Sequence, residues 1–282
     1  MHYRISIGCL AILLVGCSAS VVATPARPAD SQRHTTPEQA VQAYFTASDQ
    51  CSSRLLRSAF HPAAHMQWID KSGALHARAQ LSWWRTLETA NPCTPAADRR
   101  LQVLDREGPM ALVEAYSRFG AYQFHDFLLA VDGPQGWVIA DKVFQRLDLG
   151  ESPAAADEGA VRRVIEDKIA AAGANDPALL ASSHVEDCIY SAVRVRGVPY
   201  ARESVSQWAA RYAERRERGE DGRAASWRVL RVGAAGTVGY AKLEVVAQGT
   251  RYVDHLLLLR TEDGWRVAAA VWGDPAAPSG AS

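Results

Sequence analysis

The second half of the 282-residue chain repeats the first half, and this internal repeat constrains the fold more than any single motif. The offset between matching residues grows from 120 in the first predicted helix to a constant 128 near the end of each repeat. Pairs at the offset of 128 include Asp126 and Asp254, and Trp137 and Trp265. The repeat predicts two similar domains at 37–147 and 158–274, joined by a linker at 148–157 and followed by a tail at 275–282.

Each repeat places helical patterns before strand patterns. In the first repeat, Thr36 and Pro37 are typical of a helix start. Two more helices are predicted near 52–60 and at 80–89, with a hairpin turn at Gly73 between them. Four strand-like runs follow, at 101–105, 110–119, 122–131 and 137–144. This order predicts an α+β class, with about three helices per domain packed on one face of a curved, mostly antiparallel sheet.

Several short motifs give the chain a family resemblance. They are Phe60-His61-Pro62, the Gly73 turn, Asp126-Phe127-Leu128, Gly136-Trp137-Val138-Ile139 and Lys142-Val143-Phe144. With these residues the chain resembles the nuclear-transport-factor-2-like superfamily, and within it the group named for lumazine binding. The resemblance implies two cone-like domains, each enclosing an apolar pocket, on a scaffold shared by isomerases, dehydratases, polyketide cyclases and association modules. We also expect an internal domain pair in place of the sheet-to-sheet dimer of single-domain relatives.

The amino terminus has the layout of an export signal. Residues 1–16 combine Arg4 with an apolar stretch, and Leu14-Val15-Gly16-Cys17 resembles the bacterial lipobox. We expect cleavage before Cys17, lipidation of that residue and a tether at 17–36. The alternatives are cleavage after Ala23 and an uncleaved membrane anchor. By the same resemblance, Ser18 favours an outer-membrane lipoprotein that faces the periplasm of the bacterial cell envelope.

Cysteine usage and charge narrow the choice of partners. In an oxidising compartment Cys51 and Cys93 are the preferred disulfide, two free thiols being the alternative, and Cys188 is left over. Metal-ligand spacings and glycine-rich cofactor motifs are absent from the sequence, so we expect no metal and no cofactor. Balanced charge, with 31 basic and 31 acidic residues, argues against a nucleic-acid partner.

Asp126 is the first candidate site residue, because it lies in an apolar strand pattern and recurs as Asp254. Burial would suit it to proton transfer, whereas a structural hydrogen bond or arginine pair is the simpler interpretation. His61 recurs as His184; it is either the acid/base partner of Asp126 or a histidine that caps the second helix. His125 faces away from Asp126 on a regular strand, so we expect a surface or interface position.

Four more residues of the first domain are candidate ligand contacts, with core packing or a solvated lysine as the alternatives: Trp68, Tyr116, Phe119 and Lys142. None of them recurs in the second repeat, so the two cones should differ. The sequence favours a non-catalytic module for a small apolar or aromatic molecule or a protein partner, attached to a membrane by its lipid. The rival hypothesis is an isomerase or dehydratase that uses Asp126 and His61. A third hypothesis, pure partner binding, predicts filled cones and an exposed apolar sheet face.

Overall fold

The computed structural model describes residues 33–89, 93–155, 157–195, 198–222, 225–247 and 249–276. The predicted signal peptide, Cys17 and most of the tether lie outside the described residues. No helix in the described ranges is long and apolar enough to cross a membrane.

The first domain runs from helix to strand in the predicted order. Its elements are α1 (Pro37–Asp49), α2 (Ser53–Ala59), β1 (Phe60–Ile69), β2 (Leu75–Ala79), α3 (Gln80–Thr89), β3 (Asp98–Glu107), β4 (Met110–Phe119), β5 (Tyr122–Gly133) and β6 (Gly136–Asp148). The side chains of Thr36 and Ser52 accept hydrogen bonds from the backbone N–H groups of Gln39 and Leu55. These caps satisfy donors that have no partner within the helix, which is why α1 and α2 begin there.

The second domain repeats the same series. Its elements are α4 (Glu158–Ala174), α5 (Pro177–Ser182), β7 (His184–Val195), β8 (Val198–Ser204), α6 (Val205–Glu217), β9 (Ala225–Ala235), β10 (Val238–Ala247), β11 (Thr250–Thr261) and β12 (Gly264–Gly273). Asp157 caps α4, and Ser204 forms a capping box with Gln207 at the start of α6. Helix α4 ends at Asn175, whose φ of 49° is left-handed.

Both sheets have six strands in equivalent orders, β2-β1-β6-β5-β4-β3 and β8-β7-β12-β11-β10-β9. Neighbours pair antiparallel except β1 with β6 and β7 with β12, which are parallel. A parallel pair needs a long connection, and here the rest of each domain supplies it. The prediction of two tandem α+β domains, each with three helices on a mostly antiparallel sheet, is confirmed.

Each sheet buries both faces. In the first domain the helices cover the inner face, where Val41, Phe45 and Leu128 share one apolar cluster. On the outer face, Leu112 and Phe127 join the apolar cluster of the second domain. The Phe127 ring lies 5.0 Å from that of Tyr240, and Gln67 Nε2 donates to the Ala268 carbonyl at 3.0 Å. The outer faces of the two sheets therefore pack against each other within one chain.

This packing leaves the described surface without the apolar sheet face that pure partner binding predicts. The exposed large apolar side chains are spread over four strands and one turn: Leu75, Tyr122, Leu149, Leu230 and Val246. A disulfide joins Cys51, after α1, to Cys93, before β3, with their Cα atoms 5.8 Å apart. Cys188 is free and buried in β7.

Candidate functional site

A buried polar triad lies inside the cone of the first domain. Lys142 Nζ on β6 donates to Asp126 Oδ2 on β5 at 2.9 Å and to the Tyr44 hydroxyl oxygen on α1 at 3.0 Å. The Tyr44 hydroxyl donates in turn to Asp126 Oδ2 at 3.0 Å. Alternation along β5 and β6 turns Asp126 and Lys142 towards the helices, and α1 brings Tyr44 to meet them. The three side chains form a closed ring of hydrogen bonds.

Aromatic rings surround this triad. Lys142 Nζ lies 4.9 Å from the ring centroid of Tyr44, 4.6 Å from Phe144 and 5.9 Å from Trp83. Trp83 on α3 also makes an edge contact with Tyr44 at 5.7 Å. Asp126 is 1% exposed and Lys142 is 5% exposed, so the rings separate the triad from solvent. Ring faces attract an ammonium group, which adds to the attraction of the carboxylate.

The triad fixes the charge of its members. Burial by itself would lower the pKa of Lys142, but the Asp126 carboxylate and the Tyr44 oxygen outweigh it and raise that pKa above its usual value. Burial, together with the nearby Asp126 charge, raises the pKa of Tyr44 to about 12. Lysine therefore carries the positive charge at neutral pH, and tyrosine keeps its proton.

Two hydrogen-bonding capacities of the triad are unused. Asp126 Oδ1 is buried and has no hydrogen-bond partner among the described residues. An ammonium group has three N–H donors, and Lys142 uses two of them within the triad. A buried polar atom without a partner is costly, so it marks a place where a ligand atom or water would be favourable.

The second cone holds a different version of this pair. Lys168 Nζ on α4 donates to Asp254 Oδ2 on β11 at 3.2 Å, and both side chains are buried. The ammonium lies 4.6 Å from the Trp227 ring centroid. We did not single out Lys168 from the sequence. Its spacing from Val161, Val164 and Ile165 places it on the buried face of α4. A lysine in that apolar pattern was the sequence feature that could have identified it.

His184 is also part of the second cone. Its Nδ1 lies 2.7 Å from the Leu180 carbonyl, which can only accept, so Nδ1 carries the proton. Nε2 then accepts from the Tyr190 hydroxyl at 2.5 Å. Burial lowers the pKa of His184 to about 3, so the ring is neutral.

His61 does not meet Asp126. It lies in β1 rather than at the end of α2, so the helix-capping interpretation is wrong for this residue. Its Nδ1 accepts from the Ala63 N–H, and its ring packs 4.9 Å from Tyr200 of the second domain. Burial, with a smaller contribution from Arg202, lowers the pKa of His61 to about 3. The structure thus separates the two residues of the hypothetical catalytic pair.

Tyr116 does not line the cone, so that prediction is wrong. It lies on the outer face of the sheet, with its ring stacked on that of His125 at a centroid distance of 4.2 Å. Both side chains contact Glu114, His125 at 2.7 Å and Tyr116 at 3.3 Å. The reason is register: β4 and β5 place Tyr116 opposite His125, whose side chain points away from Asp126.

The remaining predicted contacts lie on the inner face. Trp68 stacks on Phe144 at 5.1 Å and on His76 at 5.0 Å, at the edge of the aromatic lining. Phe119 lies further along, with the Arg99 guanidinium 4.9 Å from its ring centroid. Of the predicted ligand contacts, Lys142 is the one that joins Asp126. The described residues contain no group of three or more His, Cys, Asp or Glu side chains placed to hold a metal ion.

Several solved structures resemble a stretch of this chain that is about as long as one of its domains. A protein of unknown function from Silicibacter pomeroyi, similar to nuclear transport factor 2, is 20% identical, covering 40% of this chain and 92% of its own, with a TM-score of 0.36. A similar protein from Methylobacillus flagellatus is 17% identical, covering 44% and 98%, with a TM-score of 0.37. A ketosteroid isomerase-like protein from Erwinia carotovora is 12% identical, covering 43% and 97%, with a TM-score of 0.32.

No curated protein sequence matches the chain significantly. One family profile does match, and it matches twice, at residues 32–145 and 156–273. The two matches contain the helices and strands of the two domains except for the last three residues of β6. With most of its length matched in this way, the chain belongs to the family described as "Putative lumazine-binding", of which it carries two tandem copies.

Proposed function

We propose that the protein is a non-catalytic binding module whose first cone holds a flat, heteroaromatic small molecule. The observation that carries the proposal is the Asp126–Lys142–Tyr44 triad, a polar anchor with unused hydrogen-bonding capacity inside an aromatic lining. Apolar cavities with a few convergent polar groups are the usual form of small-molecule sites. The rings supply contact area, and the triad sets orientation.

The unused groups suggest the chemistry of the ligand. Asp126 Oδ1 can accept one hydrogen bond, and the third N–H of Lys142 can donate one. A ring edge with an N–H beside a carbonyl satisfies both at once. Lumazine, which the family description names, is a flat dione with such edges. The triad is nearly sealed, so a ligand reaches it only when Trp83 on α3 moves away from Tyr44.

Binding explains the site better than catalysis does. The Asp126 carboxylate is already paired with a lysine, and the histidine needed for a catalytic pair faces the other domain. A general base should instead be able to take a proton from its substrate. An isomerase or dehydratase that uses Asp126 and His61 has no support from this geometry.

Titration of the full chain with lumazine tests the proposal. We expect quenching of tryptophan fluorescence and a 1:1 complex in native mass spectrometry. Asp126→Asn should weaken binding about tenfold or more, because it removes a charged partner. Asp254→Asn is the matched control, since it changes the same residue in the other cone and should leave the affinity unchanged. No lumazine complex, or equal losses in both variants, would contradict a site in the first cone.

In the same proposal, a lipid on Cys17 holds the domain pair at the outer membrane and displays it to the periplasm. The support is the lipobox-like Leu14-Val15-Gly16-Cys17 behind an apolar stretch. Labelled palmitate should be incorporated into the wild type and not into Cys17→Ser. The variant should also move from the membrane fraction to the soluble fraction. Labelling of Cys17→Ser would refute the anchor without affecting the ligand site.

A further inference from the structure

A cleft of about 380 Å³ lies between the two domains, and none of the buried charged residues of either cone lines it. Its walls come from the β1–β2 hairpin, the end of β6, the linker, and the β9–β10 and β11–β12 turns. The volume is within the range of small-molecule sites, about 300–1,000 Å³. Ile69, Leu147 and Ala154 give it an apolar side. The cleft exists only because two domains are joined, so it belongs to neither cone.

Gln145 lines this cleft and carries a buried donor. Its side-chain Oε1 accepts from the Thr237 backbone N–H at 3.2 Å, which fixes the orientation of the amide. Its Nε2 is therefore a donor, and this atom is buried without a partner among the described residues. Gln145 itself is only 4% exposed. The Thr237 hydroxyl beside it is likewise buried and has no described partner.

Gly236 allows these groups to come together. Its φ of 59° is left-handed, and a Cβ atom there would overlap the Gln145 amide. Its N–H donates to the Ala154 carbonyl of the linker at 3.1 Å. The turn, the linker and the Gln145 amide are thus held in one arrangement by the backbone.

Charges around the cleft are mostly neutralised. The Asp70 carboxylate accepts hydrogen bonds from the backbone N–H groups of Ser72 and Ala74 and contacts the His76 ring, all within its own hairpin. Lys71 forms an ion pair with Asp148. Arg260 and Glu262 are exposed on the rim and have opposite signs. The buried hydrogen-bonding groups, rather than net charge, therefore decide which ligand fits.

We propose that this interdomain cleft binds a small molecule with a short apolar body and a carboxylate or carbonyl oxygen. Both donors are buried behind the wall of the cleft, so the Gln145 and Thr237 side chains shift on binding and the oxygen then accepts from Gln145 Nε2 and from the Thr237 hydroxyl. The apolar body packs on Ile69, Leu147 and Ala154. Such a ligand satisfies two buried groups that otherwise lack partners. The site is independent of the cone and of lumazine binding.

Nuclear magnetic resonance of the full chain can test the cleft with three probes that share an apolar body. Butyrate carries a carboxylate, butyramide a neutral carbonyl, and butylamine has no acceptor oxygen. We expect millimolar binding of butyrate, butyramide or both, with a shift of the Gln145 side-chain NH₂ signal. Which of the two binds more tightly distinguishes a carboxylate from a neutral carbonyl ligand. Butylamine should leave that signal in place.

Two variants complete the test. Gln145→Glu keeps an acceptor for the Thr237 N–H but replaces the donor, and its missing NH₂ signal assigns the resonance. Thr237→Val removes the hydroxyl at similar volume. Each should weaken the acceptor probes about tenfold. Asp126→Asn in the cone should not change their binding. The proposal is wrong if neither acceptor probe shifts the Gln145 signal, if butylamine binds the cleft equally well, or if Thr237→Val binds like the wild type.

Discussion

The two cones bury the same aspartate and neutralise it from different elements. In the first cone the lysine comes from strand β6, and in the second it comes from helix α4. The counterpart of Lys142 is Ala270, and the counterpart of Lys168 is Ser48. A carboxylate buried in an apolar strand requires a countercharge, but the fold does not dictate where that charge originates. The same fold therefore supplies the lysine from a strand in one domain and from a helix in the other.

The sheet faces that pack together differ as well. Within the described residues, every ion pair or histidine–carboxylate contact between the domains joins an acid of the first domain to a basic residue of the second. The acids are Asp105, Glu107, Asp132 and Asp141, and the bases are Arg194, Arg202, Lys242, Arg251 and His255. Two identical faces could not carry such one-way complementarity. Joining the domains in one chain let each face specialise for the other.

The largest expected effect comes from removing either cone lysine. Lys142→Met and Lys168→Met should each cost about 3–5 kcal/mol of unfolding free energy, because each leaves a buried carboxylate without its countercharge. Urea unfolding followed by circular dichroism measures the loss. The double variants Asp126→Leu with Lys142→Met and Asp254→Leu with Lys168→Met should recover most of it. If the single variants are as stable as the wild type, the carboxylates are not stabilised by these lysines.

The next effect concerns the interface. Arg202 donates to Asp141 Oδ1 at 2.9 Å and to the Ala140 carbonyl at 3.1 Å, both in the first domain. Arg202→Met should cost about 3 kcal/mol, since Asp141 stays buried. Its repeat counterpart Arg78 is exposed, so Arg78→Met should change stability by less than about 0.5 kcal/mol. If Arg78→Met loses as much stability as Arg202→Met, the contacts of Arg202 with the first domain do not stabilise the interface.

Most of the fold was predictable from the sequence, because helix caps, periodicity and the repeat are local signals. Helix α3 and strand β4 have the predicted bounds. The candidate site was harder to predict from the sequence. Asp126 and Lys142 could be singled out by burial pattern and by their motif, but their pairing depends on β5–β6 register. The assignments of Tyr116 to the cone and His61 to a helix end were wrong because the face and the strand start depend on tertiary pairing.

The two repeated histidines, His61 and His184, should make the free energy of unfolding depend on pH. Burial lowers the pKa of both His61 and His184 to about 3, whereas an unfolded histidine has a pKa near 6.5. The unfolded chain therefore binds more protons below about pH 6.5, and stability falls as pH falls towards 3. Each histidine contributes a slope of up to about 1.4 kcal/mol per pH unit. His184→Gln should remove one such contribution between about pH 6 and 4.5 in urea unfolding.

His61→Gln provides the comparison for that slope. His61 is less buried than His184 and faces the other domain, so its contribution should be the smaller of the two. Above about pH 7 both variants should show no pH dependence that the wild type lacks. An unchanged slope in His184→Gln would mean that this histidine is protonated in the folded chain.

Moving the lysine of the second cone from a helix to a strand has the smallest expected effect. It tests directly whether this cone can take its lysine from either element. Lys168→Met combined with Ala270→Lys moves the lysine of the second cone to the strand position that Lys142 occupies in the first. Ala270 is fully buried, and β12 places it as β6 places Lys142. The transplanted lysine should restore about 1 kcal/mol relative to Lys168→Met, with the rest lost to imperfect packing. A further loss would show that the second cone, with Trp227 and Tyr190 around Lys168, accepts its cation only from the helix.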